Sequence, residues 1–401
     1  MSKKLGDKTA LTVSGGYSDP YWKNLNWSDP WGVTGLDIYE DVRSKNVWGA
    51  VSLDSRLRDN LTLYLSGQHF DNDFTANKCS LGTGSLGIPR GELIDRNFWQ
   101  DEANSLAGRL NWMRDSLTAN LGFETSRSEM RFAYTLGPLW GPFHTEDEPV
   151  REERRGVYAN ATYGAGDFSV TPGLRYDYNS NSDEFISPSL GLTYLLAPDT
   201  LLRGVIASGF SAPYLAAISH SPDLEAETTW TYQAGVETSR LPHLRCKATL
   251  FYHDIDDAWK VNETPWTNTG TKRINGVELE GQTDAFHGLS FTANFTLANE
   301  DSQDVENDES YTANLIFDYH LKDLGLRTQV AGHYHWMNTG GEEPSYDDFL
   351  WDLLIGKDFT LSALSGEIYL KAHNIFNGSQ YWDLEFPNPE RWLEAGIAFT
   401  F

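Results

Sequence analysis

The feature that most constrains the fold is a period-two alternation of apolar and polar residues that recurs along the chain. In residues 289–297 every odd position is apolar, and every even position carries a small polar side chain. This alternation predicts a strand with one apolar face, whereas an amphipathic helix would repeat about every 3.6 residues. The same pattern occurs in residues 61–66, 230–237 and 326–330. The chain is therefore predicted to be all-β.

Segments with this pattern predict about eighteen strands, within a range of sixteen to twenty-two. The predicted strands lie near residues 9–17, 46–57, 60–70, 99–113, 116–133, 151–164, 167–179, 184–196, 199–209, 226–240, 243–260, 268–285, 288–300, 309–321, 325–338, 346–360, 363–376 and 390–401. Along the chain, short connections between strands alternate with connections that are mostly longer. Short connections include 58–59, 115, 197–198, 241–242 and 322–324, and longer ones include 18–45, 71–98, 134–150, 210–225 and 377–389.

This alternation of loop lengths is typical of an outer-membrane barrel, which has tight periplasmic turns and longer outer loops. A soluble β-sandwich or propeller would not require it. Every backbone donor in hydrocarbon must be paired, so the sheet has to close. Several segments exceed the ~9–11 residues that a spanning strand needs, which predicts that they project above the membrane. The predicted fold is a transmembrane antiparallel up-and-down β-barrel, with residues 1–401 as a single domain.

Composition supports this prediction. The chain has 14 Trp, 19 Tyr and 20 Phe, although its mean hydropathy is only -0.47. Aromatic girdles combined with a polar lumen account for both values. A formal net charge of -26 argues against binding to nucleic acid through its phosphates. Cys79 and Cys246 fall toward opposite ends of the predicted barrel, so no disulfide is expected between them.

The last predicted strand alternates apolar residues from Leu393 to the terminal Phe401. Outer-membrane proteins are recognised for insertion through such a C-terminal strand, so the barrel-assembly machinery is an expected partner. The alternative is an ordinary strand that ends in Phe.

Three stretches carry a further signal. The first comprises residues 207–215 and the turn and strand at 222–237. It resembles a Gly-Phe-Arg-Ala-Pro segment that is followed by Asn-Pro-x-Leu-x-Pro-Glu. Two residues depart from this pattern: Ser211 replaces Arg, and Ala226 replaces the second Pro. The second is 268–270 leading to 274–281, and the third is 372–377 followed by 381–382, 388–392 and the final residue, with Glu390 where Gly is commoner. The motif residues expected to have structural roles are Gly209, Phe210, Pro213, Glu227, Gly276, Glu278, Asn374, Arg391 and Phe401.

The order and spacing of these stretches over residues 200–401 resemble the C-terminal half of the TonB-dependent receptor family. The resemblance implies uptake of a large or scarce solute such as a ferric siderophore, cobalamin or another metal chelate. Family members have a plug domain inside a 22-stranded barrel. Here the strand pattern begins near residue 9, and neither a plug domain nor a TonB box is found. Three alternatives stay open: a plugless relative, a fragment of a longer receptor, or a plug on another chain. The TonB system is expected as a partner only if a plug is supplied elsewhere.

Substrate binding is predicted at Trp140, Phe143, Trp266, His333 and His335. Trp140 and Phe143 lie in a stretch that two prolines stiffen, and their rings are suited to docking a large ligand. His333 and His335 are predicted to point into the lumen, where they would meet a metal chelate. The alternatives are an interfacial aromatic girdle and a wet polar lumen. No bound metal and no cofactor are predicted.

Inward positions predicted for Glu237, Glu278, Glu280 and Glu394 would favour cations, which makes a porin-like passive diffusion channel the alternative function. Six carboxylates in residues 300–309 are explained by solvation, or by cations that bridge to lipopolysaccharide. Outer-membrane lipid and lipopolysaccharide are thus expected partners. No Gly-x-Ser-x-Gly, His-Glu-x-x-His, phosphate-loop or Cys-x-x-Cys motif is present, so the chain is not predicted to be an enzyme.

Overall fold

The computed structural model describes residues 2–28, 37–83, 86–141, 143–260, 266–268, 270–302, 308–337, 348–361, 364–383 and 386–400. Within these ranges, 21 strands form one sheet in which all pairings are antiparallel. Two further pairs of very short strands lie in connections. No helix among the described residues is long and apolar enough to cross a membrane.

The strands of the first half are β1 Ser2–Lys4, β2 Thr9–Ser18, β3 Tyr21–Ser28, β4 Asp37–Arg58, β5 Leu61–Ser80, β6 Leu93–Arg114, β7 Leu117–Leu136, β8 Phe143–Glu146, β9 Val150–Ala165, β10 Phe168–Asn179, β11 Asp183–Ala197 and β12 Thr200–Ser211. Those of the second half are β13 Glu227–Leu241, β14 Leu244–Asp256, β15 Trp259–Lys260, β16 Thr267–Asn268, β17 Lys272–Thr283, β18 Leu289–Ser302, β19 Asp308–Leu321, β20 Leu326–Met337, β21 Leu350–Leu361, β22 Leu364–His373, β23 Tyr381–Asp383, β24 Phe386–Pro387 and β25 Trp392–Thr400. The helices are α1, Leu215–His220, and two single 3₁₀ turns, Pro138–Trp140 and Lys322–Leu324.

The topology is up-and-down. Each long strand pairs with the next long strand in sequence, from β2 with β4 to β22 with β25. Three short strands extend this row at its margins: β1 lies against β2, β3 against the outer part of β4, and β8 against the outer part of β7. The remaining eighteen members of the sheet coincide with the eighteen predicted strands. The predicted all-β, antiparallel up-and-down arrangement of strands is thereby confirmed.

The predicted long connections 18–45 and 71–98 are the main error. Residues 21–28 and 37–43 pair as β3 with β4, and β5 continues to Ser80. The sheet thus extends well beyond the predicted boundaries. Apolar alternation ends there because the outward face becomes mostly polar, while apolar residues such as Ile38, Val42 and Ala76 lie on the inward face. The backbone ladder that defines a strand continues regardless of side-chain polarity.

The register separates two faces. One cross-strand row contains Leu110, Leu121, Ala159 and Leu174, which belong to the face with the exposed large apolar side chains. The adjacent row contains Asn111, Asn120 and Asn160, whose amides are joined by hydrogen bonds of 2.9 Å. Few apolar side chains in the described part of the chain are buried. Apolar side chains therefore cover an outward face instead of filling a core, and the inward face is polar.

Candidate functional site

The connection between β12 and β13 folds over the inward face of distant strands. Its helix, α1, contacts β7 and β9, although two other strands separate β9 from β12 in the sheet. Pro213, just before α1, is fully buried, as is nearly all of Ala217. Six residues are too few for a helix to be stable alone, so this packing stabilises α1.

Contacts with the β14–β17 connection hold α1 in place. The Trp266 ring lies 5.2 Å from that of Tyr214 in an edge-to-face arrangement, and the Trp266 backbone N–H donates to Ser221 Oγ at 2.7 Å. The Asn268 side chain accepts from the Glu225 N–H at 2.9 Å and donates to the Asp257 carbonyl at 2.6 Å. We call residues 212–226, 257–260 and 266–268 the loop cap.

An aromatic wall faces the loop cap. Trp99 on β6 pairs with Phe74 on β5 and with Phe132 on β7, so all three rings share the inward face. The Trp99 and Phe74 rings stack at 3.8 Å, and Phe132 meets the His220 ring of α1 edge-on at 6.2 Å. Aromatic pairs of this kind contribute about 0.5–1.5 kcal/mol beyond their burial.

A cavity of about 630 Å³ lies between the loop cap and the aromatic wall. Its apolar and aromatic lining includes Trp99, Met130, Phe132, Tyr214 and Leu215, and its ionisable lining includes Asp101, Glu152, Arg154 and His220. This volume suits a medium-sized organic molecule, and a mostly apolar lining with a few polar groups is the usual composition of a ligand pocket.

The charges of the cavity are ordered by hydrogen bonds. Arg154 donates twice to Glu152, at 2.6 and 2.9 Å, and Asn179 donates to the same carboxylate at 2.9 Å. Burial raises the pKa of Tyr214, so its hydroxyl stays protonated and can donate a hydrogen bond at neutral pH. The cavity therefore offers aromatic faces, hydrogen-bond donors and a modest excess of carboxylate.

Of the predicted substrate residues, Trp266 lies close to this cavity through its contact with Tyr214. Trp140 ends the 3₁₀ turn after β7, and the position of its side chain lies outside the described residues. Phe143 begins β8 with its side chain exposed. His333 and His335 lie on the inward face of β20, opposite Asn314 and Thr312, and do not line the cavity.

Five aromatic residues of the site were not predicted: Phe74, Trp99, Phe132, Tyr214 and His220. The sequence did hold a partial signal, because Trp99 and Phe132 fall on predicted strands in phase with polar neighbours. Their meeting, however, depends on the register between strands and on α1, which sequence periodicity does not reveal.

Glu227, the motif residue at the start of β13, is bound to the loop cap. Glu227 accepts a hydrogen bond from the Trp259 N–H at 2.8 Å, and the Trp259 indole donates to the Glu225 carbonyl at 2.8 Å. Near the end of β12, Phe210 follows Gly209 and stacks on Phe185 at 4.0 Å. Because Asn268 also binds the Glu225 backbone, two of the three motif stretches form one structural unit.

The other motif residues take separate positions. Gly276 lies directly under the Phe251 ring, and Glu278 is on the inward face opposite Thr249. Asn374 has a positive φ of 48° and binds its own loop through its side chain, while Arg391 donates to the Ile375 carbonyl at 3.3 Å. Phe401 lies outside the described residues.

Within the described ranges, no group of three or more His, Cys, Asp or Glu side chains could hold a metal ion. Cys79 is buried and Cys246 half-buried, and both are free thiols. The structure therefore offers the cavity as its candidate site.

An up-and-down antiparallel sheet with an apolar outward face and a polar inward face defines a membrane β-barrel protein. The family described as "TonB dependent receptor-like, beta-barrel" matches residues 4–382, and the chain belongs to this family. Members of this family are outer-membrane barrels of Gram-negative bacteria.

Two curated relatives are a vitamin B12 transporter of Vibrio vulnificus, 22% identical over 61% of this chain, and an iron-regulated outer membrane virulence protein of Vibrio cholerae, 25% identical over 59%. The matches cover 42% and 43% of those proteins, so the chain spans less than half the length of either.

Solved structures with the same fold include the copper transporter OprC, with a TM-score of 0.74 and 14% identity, which the chain matches over 100% of itself and 71% of OprC. The FrpB iron transporter of Neisseria meningitidis gives a TM-score of 0.73 at 15% identity, with coverage of 99% of this chain and 70% of FrpB. At these identities the likeness establishes the fold alone.

Proposed function

We propose that the chain forms the barrel of a TonB-dependent receptor that takes up a large or scarce solute, such as a ferric siderophore, cobalamin or another metal chelate, across the outer membrane. The observation that carries this proposal is the match to the receptor family over residues 4–382. The named relatives support the same range of substrates: one transports vitamin B12, one is iron-regulated, and two structural neighbours transport copper and iron.

The cavity between the loop cap and the aromatic wall is proposed to receive one part of such a solute, because its volume suits a medium-sized organic group. Trp99 and Phe132 supply flat apolar surface, and Tyr214 from the loop cap reaches the same space. A solute held there is enclosed on one side by α1 and on the other by β6 and β7. Further passage of the solute requires a lumen-filling domain that the TonB system moves. We propose that a segment or chain other than the described residues supplies this domain.

The passive-channel alternative is not favoured by the family match. Inward carboxylates such as Glu237 and Glu280 are also accompanied by bases. Arg245 lies 2.7 Å from Glu237, and Lys247 is the cross-strand partner of Glu280. The net charge of the lumen wall is thus closer to zero than its glutamates alone suggested.

Binding to the purified protein in detergent tests the proposal. We expect quenching of tryptophan fluorescence by cyanocobalamin, ferric enterobactin or a copper chelate, with a dissociation constant of micromolar or tighter. Cyanocobalamin and the ferric chelate absorb light, so free tryptophan is the control for inner-filter loss. A protein that binds none of the three, but conducts a large steady cation current in planar bilayers, would be a diffusion channel.

A further inference from the structure

One carboxylate of the cavity has no basic partner. Asp101 on β6 lines the cavity with its side chain half-buried, and it lies on the inward face one row below Trp99. Its cross-strand neighbours in that row are Asn72 and Met130, neither of which can carry a positive charge. Within the described part of the chain, no Lys, Arg or His side chain forms an ion pair with Asp101. The wall around Asp101 therefore does not neutralise its charge.

The hydrogen-bond partner of this carboxylate is the side chain of Asn72. The Ser44 hydroxyl donates to Asn72 Oδ1 at 3.1 Å, which leaves the amide nitrogen of Asn72 to donate to Asp101. A carboxylate can accept about four hydrogen bonds, so a single neutral amide satisfies only part of it and does not cancel the charge. A ligand can supply the remaining donors.

The inward charges next to Asp101 are already paired with each other. Arg154 lies two rows below Asp101, and its guanidinium donates to both carboxylate oxygens of Glu152. Glu102 and Glu129, which also border the cavity, belong to the outward row and point away from it. Because a half-buried charge without a counter-ion is unfavourable, a cationic group of a ligand would gain by contact with Asp101.

Aromatic rings lie both above and below Asp101 on the inward face. The row above it belongs to the aromatic wall, and the row below holds Phe70 opposite Ala103. The Phe70 ring lines the same cavity and is 40% exposed. Adjacent rows of one face are about 7 Å apart along a strand, and a cation is attracted to a ring whose centroid lies within about 6 Å. A cation that contacts Asp101 is therefore within reach of rings on both sides.

We propose that Asp101 and these rings bind an organic ammonium group carried by the solute. The carboxylate attracts the positive charge, and the negative ring faces of Trp99 and Phe70 attract the alkyl groups around a substituted nitrogen, over which that charge is spread. The chain as a whole acts in the same direction, because its 57 acidic and 31 basic residues draw cations toward it. The choice of cavity rests on the proposed function, whereas the charge of the group bound there is derived from Asp101 and its neighbours.

Choline and its neutral analogue, in which a tert-butyl group replaces the trimethylammonium group, are the probes, because they differ in charge but hardly in shape. Saturation-transfer NMR measures the binding of each probe to the full chain in octyl glucoside, a neutral detergent without a choline headgroup. We expect the wild type to bind choline about tenfold more tightly than the neutral analogue. Asp101→Asn, which keeps the shape of the side chain and removes its charge, is expected to abolish that preference.

Asp101→Glu keeps the charge and should retain most of the preference, whereas Phe70→Leu loses the ring and should weaken choline binding by about threefold. Asp318→Asn is the matched control. Asp318 is also an inward carboxylate that accepts from a neutral amide, that of Gln329 at 2.8 Å, but it does not line the cavity. Heat-modifiable migration in gels verifies that each variant has a folded barrel.

Equal affinity of the wild type for the two probes would overturn the proposal, as would binding of neither probe. A preference that survives in Asp101→Asn, or that falls equally in Asp318→Asn, would also overturn it, because the overall charge of the chain would then account for the preference. The uptake proposal is tested separately, with cyanocobalamin and metal chelates on the wild type. Those solutes can bind to a chain that does not distinguish choline from its neutral analogue, so the two failures are distinguishable.

Discussion

The indole of Trp99 stacks on the Phe74 ring at 3.8 Å, with 11° between the two ring planes. The two residues are cross-strand partners on the inward face, and Phe132 is the next partner along the row. The stacked pair covers one part of the barrel wall, and the wall beside the pair is open to a ligand. The relationship therefore marks the part of the lumen most suited to binding a flat apolar surface.

Replacing Trp99 with Ala is expected to weaken solute binding by roughly tenfold or more, because a buried aromatic anchor commonly dominates a binding site. Titration of the purified variant with the solute identified for the wild type measures the change. Trp112→Ala is the control, since Trp112 lies on the same strand but on the outward face. Equal losses in both variants would show that the effect is not local to the cavity.

The sequence predicted the strands of the barrel wall better than the contacts made inside the barrel. The apolar row with Leu121 and Leu174 and the polar row with Asn120 and Asn160 follow directly from the period-two alternation. Successive side chains of a strand point to opposite faces, so alternation places apolar and polar residues on different faces. The outer parts of β4 and β5 were missed, since their outward face is mostly polar and their apolar residues, such as Ile38 and Val42, lie on the inward face.

The loop cap could not have been predicted. Leu215–His220 is too short to show helical periodicity, and its contacts lie on strands about sixty residues or more away in the sequence. The sequence resemblance did mark Glu227 as important, but not its bond to the Trp259 backbone. A sequence motif marks residues with a structural role, whereas the contact between two loops depends on how the folded strands place them.

Gly276 is required by close packing. A Cβ at this position would lie 2.1 Å from the Leu297 carbonyl oxygen and 2.5 Å from the Phe251 ring. Gly276→Ala is therefore expected to lower the free energy of unfolding by about 1–3 kcal/mol through overpacking. Urea unfolding in lipid vesicles measures the loss. Gly281→Ala on the same strand is the control, because a Cβ there meets nothing within 4 Å, and a similar loss in both variants would contradict the explanation.

Asn374 organises the last long connection. Its amide nitrogen donates to the Gly378 and Pro389 carbonyls at 2.9 and 3.1 Å, and its Oδ1 accepts from the Gly378 N–H at 2.8 Å. Asn374→Asp keeps the acceptor and the shape but loses both donor bonds, leaving two carbonyls facing a carboxylate.

We expect this variant to destabilise the connection by about 1–3 kcal/mol and to accelerate proteolysis within residues 375–391, while the barrel stays folded. Asn377→Asp is the matched control, because the side chain of Asn377 acts as an acceptor for the Arg391 N–H at 3.0 Å and aspartate preserves that role. Unchanged cleavage in Asn374→Asp would mean that backbone contacts alone hold the connection.

Leu279 and Glu280 test the assignment of the two faces, because they are neighbours on β17 that point in opposite directions. Leu279 belongs to the outward row with Phe295, and Glu280 to the inward row with Asn294. Arginine at Leu279 would place a charge in the hydrocarbon near mid-membrane, at an expected cost of about 2–4 kcal/mol. Arginine at Glu280 would remain in contact with water in the lumen, so its cost should be smaller and come mainly from repulsion by Lys247, its cross-strand partner.

Folding into vesicles of phosphatidylcholine, followed by urea titration, compares Leu279→Arg with Glu280→Arg. If the two variants were equally stable, or if the wild type stayed soluble without detergent and did not float with vesicles, the outward face would not meet lipid. The polar face would then not need to enclose a lumen. Lipid excludes water from the outward face, and this leaves the inward face as the surface that can hold a hydrophilic solute.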